Sequence, residues 1–284
     1  MKVGVAMAFN QHTNPERIIE ASQTVEEAGF HSMWAPEHVV FFSAYESSYP
    51  YSANGRIPGE PDGLLDPFTA LTFVAAHTSK LRLGTGICLV PQRQPVYTAK
   101  MVADLDFLSG GRVDFGVGVG WLQEEFEALG VPFERRGPRT ADAIDAIKAL
   151  WAPGEASYDG EFYRFESCHF NPKPVQSPHP PIFFGGESRA ALKRVATHGD
   201  GWYGFDLDPA GVAEKLGELD GLLAEQGRKR DELQIFVGPN SHPVNAETVA
   251  QYRDLGVEQL VVPMAASRAD KLKPRIERVL SAFT

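Results

Sequence analysis

Short β-prone apolar runs alternate with apolar stripes at helical spacing eight times along this 284-residue chain, and that alternation limits the fold more than any other feature. Residues 3–9, 32–36, 81–90, 113–119, 182–184, 201–205, 233–237 and 259–263 read as strands. Between them run helical stripes such as Ile18, Ala21, Val25 and Ala28, or Val212, Leu216, Leu219 and Leu223. Several helices announce their start: Asn14-Pro15, Asp66-Pro67 and Asp208-Pro209 each set a capping side chain before a proline at the first helical position. No stretch reads as a domain linker. Eight such units in residues 1–284 predict one (β/α)8 TIM-barrel domain, of α/β class. A doubly wound sheet competes, but it rarely needs eight units.

Two stretches break the rhythm. Residues 39–65 are rich in Tyr, Ser, Pro and Gly without periodicity, and a loop that long inside a compact chain is usually functional or mobile. The segment YDGEFYRF carries an Asp-Gly turn between β-prone flanks and predicts an inserted hairpin. In the fourth strand, glycine takes every second place through Gly116, Gly118 and Gly120. Strand side chains alternate, so one face is stripped bare. That face is either a flat floor for a planar ring or the seat of tight packing in the barrel.

In a barrel the chemistry belongs where strands end and the following loops begin. That rule gathers Glu37, His38, Gly86, Ile87, Gly118, Val119, Gly120, Trp121, residues 185–188 and Asn240 on one rim. His38 precedes the long loop and titrates near neutrality in its ordinary state, which makes it the candidate catalytic residue; a packed structural histidine is the competing reading. The GVGVG run fails as a dinucleotide fingerprint, because Trp121 and a loop follow where a helix should begin. Gly185, Gly186, Glu187 and Ser188 fit anion binding better, with two glycines exposing amides and a serine at a helix start.

Charge and composition narrow the partners. A net charge of −10 argues against nucleic acid and leaves any phosphate to be held locally, by backbone amides or a few basic groups. No apolar run is long enough for a bilayer, and MKVGVAMAFN lacks a signal-peptide cleavage region. Two cysteines, Cys88 and Cys168, are too few for a disulfide framework, so a cytoplasmic location is expected. Eight histidines show no HxxxH or HExxH spacing, and no metal is expected.

At this point the motifs carry a resemblance: WAPEH at 34–38, LGTGICLVPQRQP at 83–95, LSGGRVDFGVGVGWLQEEFEALGVPFERRG at 108–137, PPIFFGGES at 180–188 and HGDGWYGF at 198–205. Over nearly its full length the chain resembles the luciferase-like monooxygenase superfamily, and more closely its actinobacterial deazaflavin (coenzyme F420) dependent oxidoreductases. The resemblance implies a barrel with the cofactor ring at the C-terminal face. It implies a third-strand bulge with a non-prolyl cis peptide, placed at Gly86–Ile87, under one face of that ring. Gly185, Gly186, Glu187 and Ser188 would take the cofactor phosphate, with Gly118, Val119 and Gly120 beside the ring. His38 would be the proton donor or acceptor, oriented by Glu37. Trp34, Phe41 and Trp121 would shape an apolar pocket with the loop aromatics, and Arg56 or Arg93 would meet an anionic part of cofactor or substrate or stay solvated. The bacterial luciferase-type pattern carries a phosphate-binding arginine where this chain has Val119, which weakens the FMN reading.

The expectation is therefore an F420-dependent oxidoreductase acting on a carbonyl, imine, activated C=C bond or alcohol, as a homodimer with a small-molecule substrate. A monooxygenase using reduced FMN and oxygen is the alternative. A non-catalytic cofactor carrier on the same barrel is a third class.

Overall fold

Eight parallel strands close on themselves in this computed structural model, which describes residues 1–58, 63–265 and 269–284. The first half of the wall contains β1 (Lys2–Ala6), α1 (Pro15–Glu27), β2 (Ser32–Ala35), α2 (Pro67–His77) and β3 (Arg82–Thr85). It continues through β4 (Cys88–Leu89), α3 (Pro95–Ser109) and β5 (Val113–Gly118). Two helices, α4 (Gln123–Ala128) and α5 (Arg136–Trp151), come next, followed by the antiparallel hairpin β6 (Ala156–Asp159) and β7 (Arg164–Cys168). The second half contains β8 (Ile182–Gly185), α6 (Arg189–His198), β9 (Gly201–Phe205) and α7 (Pro209–Glu225). It ends with β10 (Gln234–Gly238), α8 (Ala246–Asp254), β11 (Gln259–Pro263) and α9 (Ala269–Leu280). Pairing of β1 with β11, from Lys2 opposite Gln259 to Ala6 opposite Pro263, seals the circle. The expected (β/α)8 barrel is what forms.

Local chemistry sets the element ends. Asn14, Asp66 and Asp208 each accept a bond from a backbone N–H three residues on, at 2.8, 2.9 and 2.8 Å, with proline at the next position. Helix α3 stops at Gly110, whose φ of 70° is left-handed and open to glycine at little cost. The predicted hairpin is pinned from α5: Asp142 accepts from Tyr158 Oη at 2.8 Å and from the amides of Glu161, Phe162 and Tyr163. Most of the apolar core fills the layer between strands and helices, where Val5, Met33, Leu83, Val117 and Phe184 join one cluster with Ala21, Val25, Leu71 and Ile147.

A second, smaller cluster fills the barrel itself: Trp34, Phe183, Tyr203, Phe236 and Val261. Trp34 stacks on Tyr203 at 5.0 Å with 11° between ring planes, and its Nε1 donates to Ser32 Oγ at 2.8 Å. Added as a methyl, a side chain at Gly84 would stand 2.2 Å from Trp34 Cδ2, and one at Gly116 would stand 2.0 Å from the Thr85 carbonyl oxygen. The bare face of the glycine-rich strands is thus not an open floor. Trp34 and the neighbouring strand occupy it, and the packing reading holds at these two positions.

The third strand is broken where expected. β3 pairs with the start of β5 and β4 with its end (Leu83 opposite Val113, Cys88 opposite Val117), and between them the Gly86–Ile87 peptide is cis. The bulge turns Ile87 across the barrel mouth. Its Cδ1 would lie 2.2 Å from a methyl at Gly118 and 2.7 Å from one at Gly185, so glycine at both positions makes room for this one side chain.

Candidate active site

The rim is built around a histidine and a buried carboxylate. β2 ends at Ala35, and two residues later Glu37 and His38 turn in opposite directions. Glu37 is buried and accepts from Leu89 N at 2.5 Å and from Arg93 Nε at 2.5 Å. Arg93 also bonds Asp66, the cap of α2. Glu37 therefore braces the bulged strand instead of orienting His38, and Arg93 is held between two carboxylates and unavailable to a cofactor. Arg56 is likewise committed: its Nη1 donates to the Tyr45 carbonyl at 2.6 Å, inside the long loop.

His38 is oriented by Glu125, which the sequence reading passed over. Glu125 is fully buried and takes four donors: His38 Nδ1 at 3.0 Å, Gln92 Nε2 at 3.0 Å, Val39 N at 2.6 Å and Val40 N at 3.2 Å. Burial pushes the pKa of this carboxyl up, but the bond and charge of His38, with the Gln92 and Val40 donors, outweigh it and hold it below the ordinary glutamate range. A carboxylate on Nδ1 fixes the ring as the Nδ1–H tautomer. Nε2 makes no hydrogen bond among the described residues, and the ring is partly exposed against Phe41 at 4.7 Å and Trp121 at 5.9 Å. The arrangement gives one poised nitrogen, able to take or give a proton at the mouth.

The long loop lies across that mouth and is latched by carboxylates of the rim. Glu124 accepts from Glu46 N at 2.6 Å, Ser47 N at 3.1 Å and Ser47 Oγ at 2.7 Å. Burial pushes this carboxyl up, but these donors together outweigh it and hold its pKa down to about 2. Glu187 accepts from Tyr51 Oη at 2.8 Å and Phe205 N at 2.8 Å, and burial pushes its carboxyl up. Trp121 meets Tyr49 and Tyr45 edge-on at 5.2 and 5.7 Å, and Tyr51 meets Phe205 at 4.9 Å.

The sequence-expected residues divide accordingly. The His38 ring meets both Phe41 and Trp121, and Ile87 lies over both Gly118 and Gly185. Val119 and Gly120 follow β5, with Gly120 at φ 75° against Phe126. Gly186, at φ 103°, turns the chain into α6, and Ser188 caps that helix by accepting from Ala191 N at 3.2 Å. The Glu187 carboxylate faces the loop and β9. Trp34 is corrected: it is completely buried inside the barrel and lines no pocket at the mouth. Asn240, at φ 49°, donates to Asp206 Oδ1 at 3.1 Å and serves the rim as a turn.

Comparison with known proteins settles the lineage. Residues 1–278 match the model of the luciferase-like monooxygenases. The chain belongs to that family. An uncharacterised protein of Mycobacterium tuberculosis is 34% identical over 261 residues, 91% of each chain. The FMNH2-dependent dimethylsulfone monooxygenase of Pseudomonas putida is 32% identical over 181 residues, 63% of this chain and 48% of that one. Among solved structures, an F420-dependent secondary alcohol dehydrogenase superposes with TM-score 0.75 at 16% identity, covering 100% of this chain and 97% of its own. No helix among the described residues is long and apolar enough to cross a membrane.

Proposed function

We propose that this luciferase-like chain is an oxidoreductase that moves a hydride between coenzyme F420 and a small carbonyl, imine, activated C=C or alcohol substrate. The observation that carries the reading is His38, with Nδ1 tied to buried Glu125 at 3.0 Å and Nε2 left for chemistry beside the Ile87 bulge. A bound deazaflavin supplies hydride transfer at C5 and little reactivity toward oxygen. The mouth fits such a ring: Ile87, resting on Gly118 and Gly185, offers an apolar support for one face. Gly185, Gly186 and Ser188 would hold the phosphate. His38 Nε2 would give a proton to the substrate oxygen or nitrogen as it is reduced, or take one in reverse. Trp121, Phe41 and Tyr49 would exclude water and shape an apolar pocket. Val119, aliphatic where luciferase-type relatives carry a phosphate-binding arginine, favours the deazaflavin over FMN.

A second reading, a monooxygenase using reduced FMN and oxygen, is favoured by the 32% identity to the dimethylsulfone enzyme. Anaerobic assay decides between them. Turnover of an acceptor with reduced F420 and no oxygen is the expected result. Activity that requires oxygen and reduced FMN, with an oxygen atom in the product, would hand the case to the second reading.

A further inference from the structure

The end of the barrel opposite the mouth, where the strands begin, holds a polar cavity of about 500 Å3 that the proposed chemistry does not use. Charge is sorted around it. Lys2 opens β1, His31 stands just before β2 and Arg82 opens β3, all on one arc of the wall. Asp200 and Glu232 stand just before β9 and β10, on the facing arc. Part of this charge is already spent: Arg82 donates to Asp114 from Nε and Nη2, and Glu232 lies 3.4 Å from Arg228 Nε. Lys2 is exposed and has no side-chain partner among the described residues. His31 makes no side-chain hydrogen bond among them either. Burial, with the charges of Lys2 and Arg82, pushes its pKa down to about 4, so the ring is neutral at pH 7. Asp200 accepts from Ile182 N through Oδ2 at 2.9 Å, and its Oδ1 accepts nothing among the described residues. Its neighbour His179, 3.8 Å away, spends Nδ1 on the Pro180 carbonyl. One unspent cation thus faces one unspent carboxylate across the cavity.

A buried amide stands at the same end. Gln259 is completely buried, and neither its Oε1 nor its Nε2 has a hydrogen-bond partner among the described residues. It lies in register between Lys2 of β1 and Phe236 of β10, both of which line the cavity. Its Nε2 would be 3.0 Å from a methyl at Gly4, and that methyl 2.4 Å from Ser32 Oγ, so the amide faces the barrel interior. Leaving both ends of a buried amide unpaired is costly and calls for a partner that the chain does not supply. We propose that this cavity binds a small zwitterion of the α-amino acid class. Its carboxylate would accept from Lys2 Nζ and the His31 ring, and its ammonium would donate to Asp200 Oδ1. Phe236, one inward position beyond Gln234, gives an apolar side chain something to meet, with Gln259 at the inner end. A simple anion would meet Asp200 and Glu232 unpaired, and a simple amine would meet Lys2. No group of three His, Cys, Asp or Glu residues suited to a metal ion occurs among the described residues. The proposal is independent of the cofactor reading, since the two sites lie at opposite ends of the strands.

The test titrates the full chain with each of the twenty protein amino acids, reading the ring resonances of His31 and His38 by NMR and the affinity by calorimetry. At least one amino acid is expected to bind with a dissociation constant of about 1 mM or tighter, moving His31 and leaving His38 in place. Its deaminated acid and its decarboxylated amine should each bind about tenfold or more weakly, as should the amino acid itself to Lys2→Gln and to Asp200→Asn. Lys2 is exposed, so Lys2→Gln reads binding without a loss of folding. Four results would overturn the proposal: no amino acid moving His31, a bound one moving His38 instead, a deaminated acid or decarboxylated amine binding as well as its parent, or Lys2→Gln binding like wild type. Turnover with F420, present or absent, changes none of these readings.

Discussion

At the scale of single residues, the site turns on which of three acids does what. Glu37, Glu124 and Glu125 all look alike as acids near the candidate histidine, yet only Glu125 touches His38. Replacing Glu125 by Gln keeps the volume but removes the charge and makes the tautomer of His38 ambiguous, since an amide both donates and accepts. The variant is expected to lose the single Nδ1–H state in a two-dimensional proton–nitrogen spectrum of the ring, and to slow the proton-transfer step by about tenfold to a thousandfold. Glu37→Gln should leave that spectrum unchanged while lowering stability by about 1–3 kcal/mol, because Arg93 and the Leu89 amide lose a charged partner. A Glu37→Gln spectrum altered like that of Glu125→Gln would mean the assignment of roles is reversed. The sequence hid Glu125 for a physical reason. Two adjacent acids at the start of a short helix read as a solvated face, and the partner is 87 residues away, with α2, β3, β4, α3 and β5 between them.

Elements explain what the glycines and the loop are for. Alternation made the strands legible, and it put Gly116 on a face stripped of side chains, but it did not show what faces it. Whether a bare strand face is open or filled depends on the next strand's side chains, here Trp34 from β2 and Ile87 from the bulge. Gly116→Ala should therefore destabilise by about 3 kcal/mol or more through overpacking against Thr85 and Trp34. Gly217→Ala, within α7 where an added methyl meets nothing within 4 Å, should stabilise by about 0.5–1 kcal/mol. Denaturant midpoints of the two variants should move in opposite directions. The loop is tested through its latch. Glu124 titrates at about 2, below its unfolded value, so its contribution is complete above the ordinary glutamate range and is lost as pH falls toward 2. Exchange protection of the Glu46 and Ser47 amides should hold from neutrality down to about pH 4.5. It should disappear at all pH values in Glu124→Ala, with the global unfolding transition unmoved. Retained protection in that variant would show that the Tyr51–Glu187 bond and the aromatic rings hold the loop without Glu124.

Over the whole molecule, the proposed ring site draws on distant parts of the chain: His38 follows β2, Ile87 follows β3, Gly118 ends β5 and Gly185 ends β8. A ligand that bridges these four points binds only the closed barrel, so its affinity adds to global stability and not to the loop alone. At a free concentration one hundred times its dissociation constant, F420 should add about 2.7 kcal/mol to unfolding, seen as a rise of several degrees in the melting temperature. FMN at the same concentration should add less, for want of a strand arginine at Val119. His38→Ala should keep the F420 shift while losing turnover, because Nε2 is placed for the reaction and the ring is held by other residues. The comparison separates the surviving classes of function. A shift with F420 and anaerobic turnover fits the oxidoreductase, a larger shift with FMN and oxygen-dependent turnover fits the monooxygenase, and a shift with no turnover of any acceptor fits a carrier.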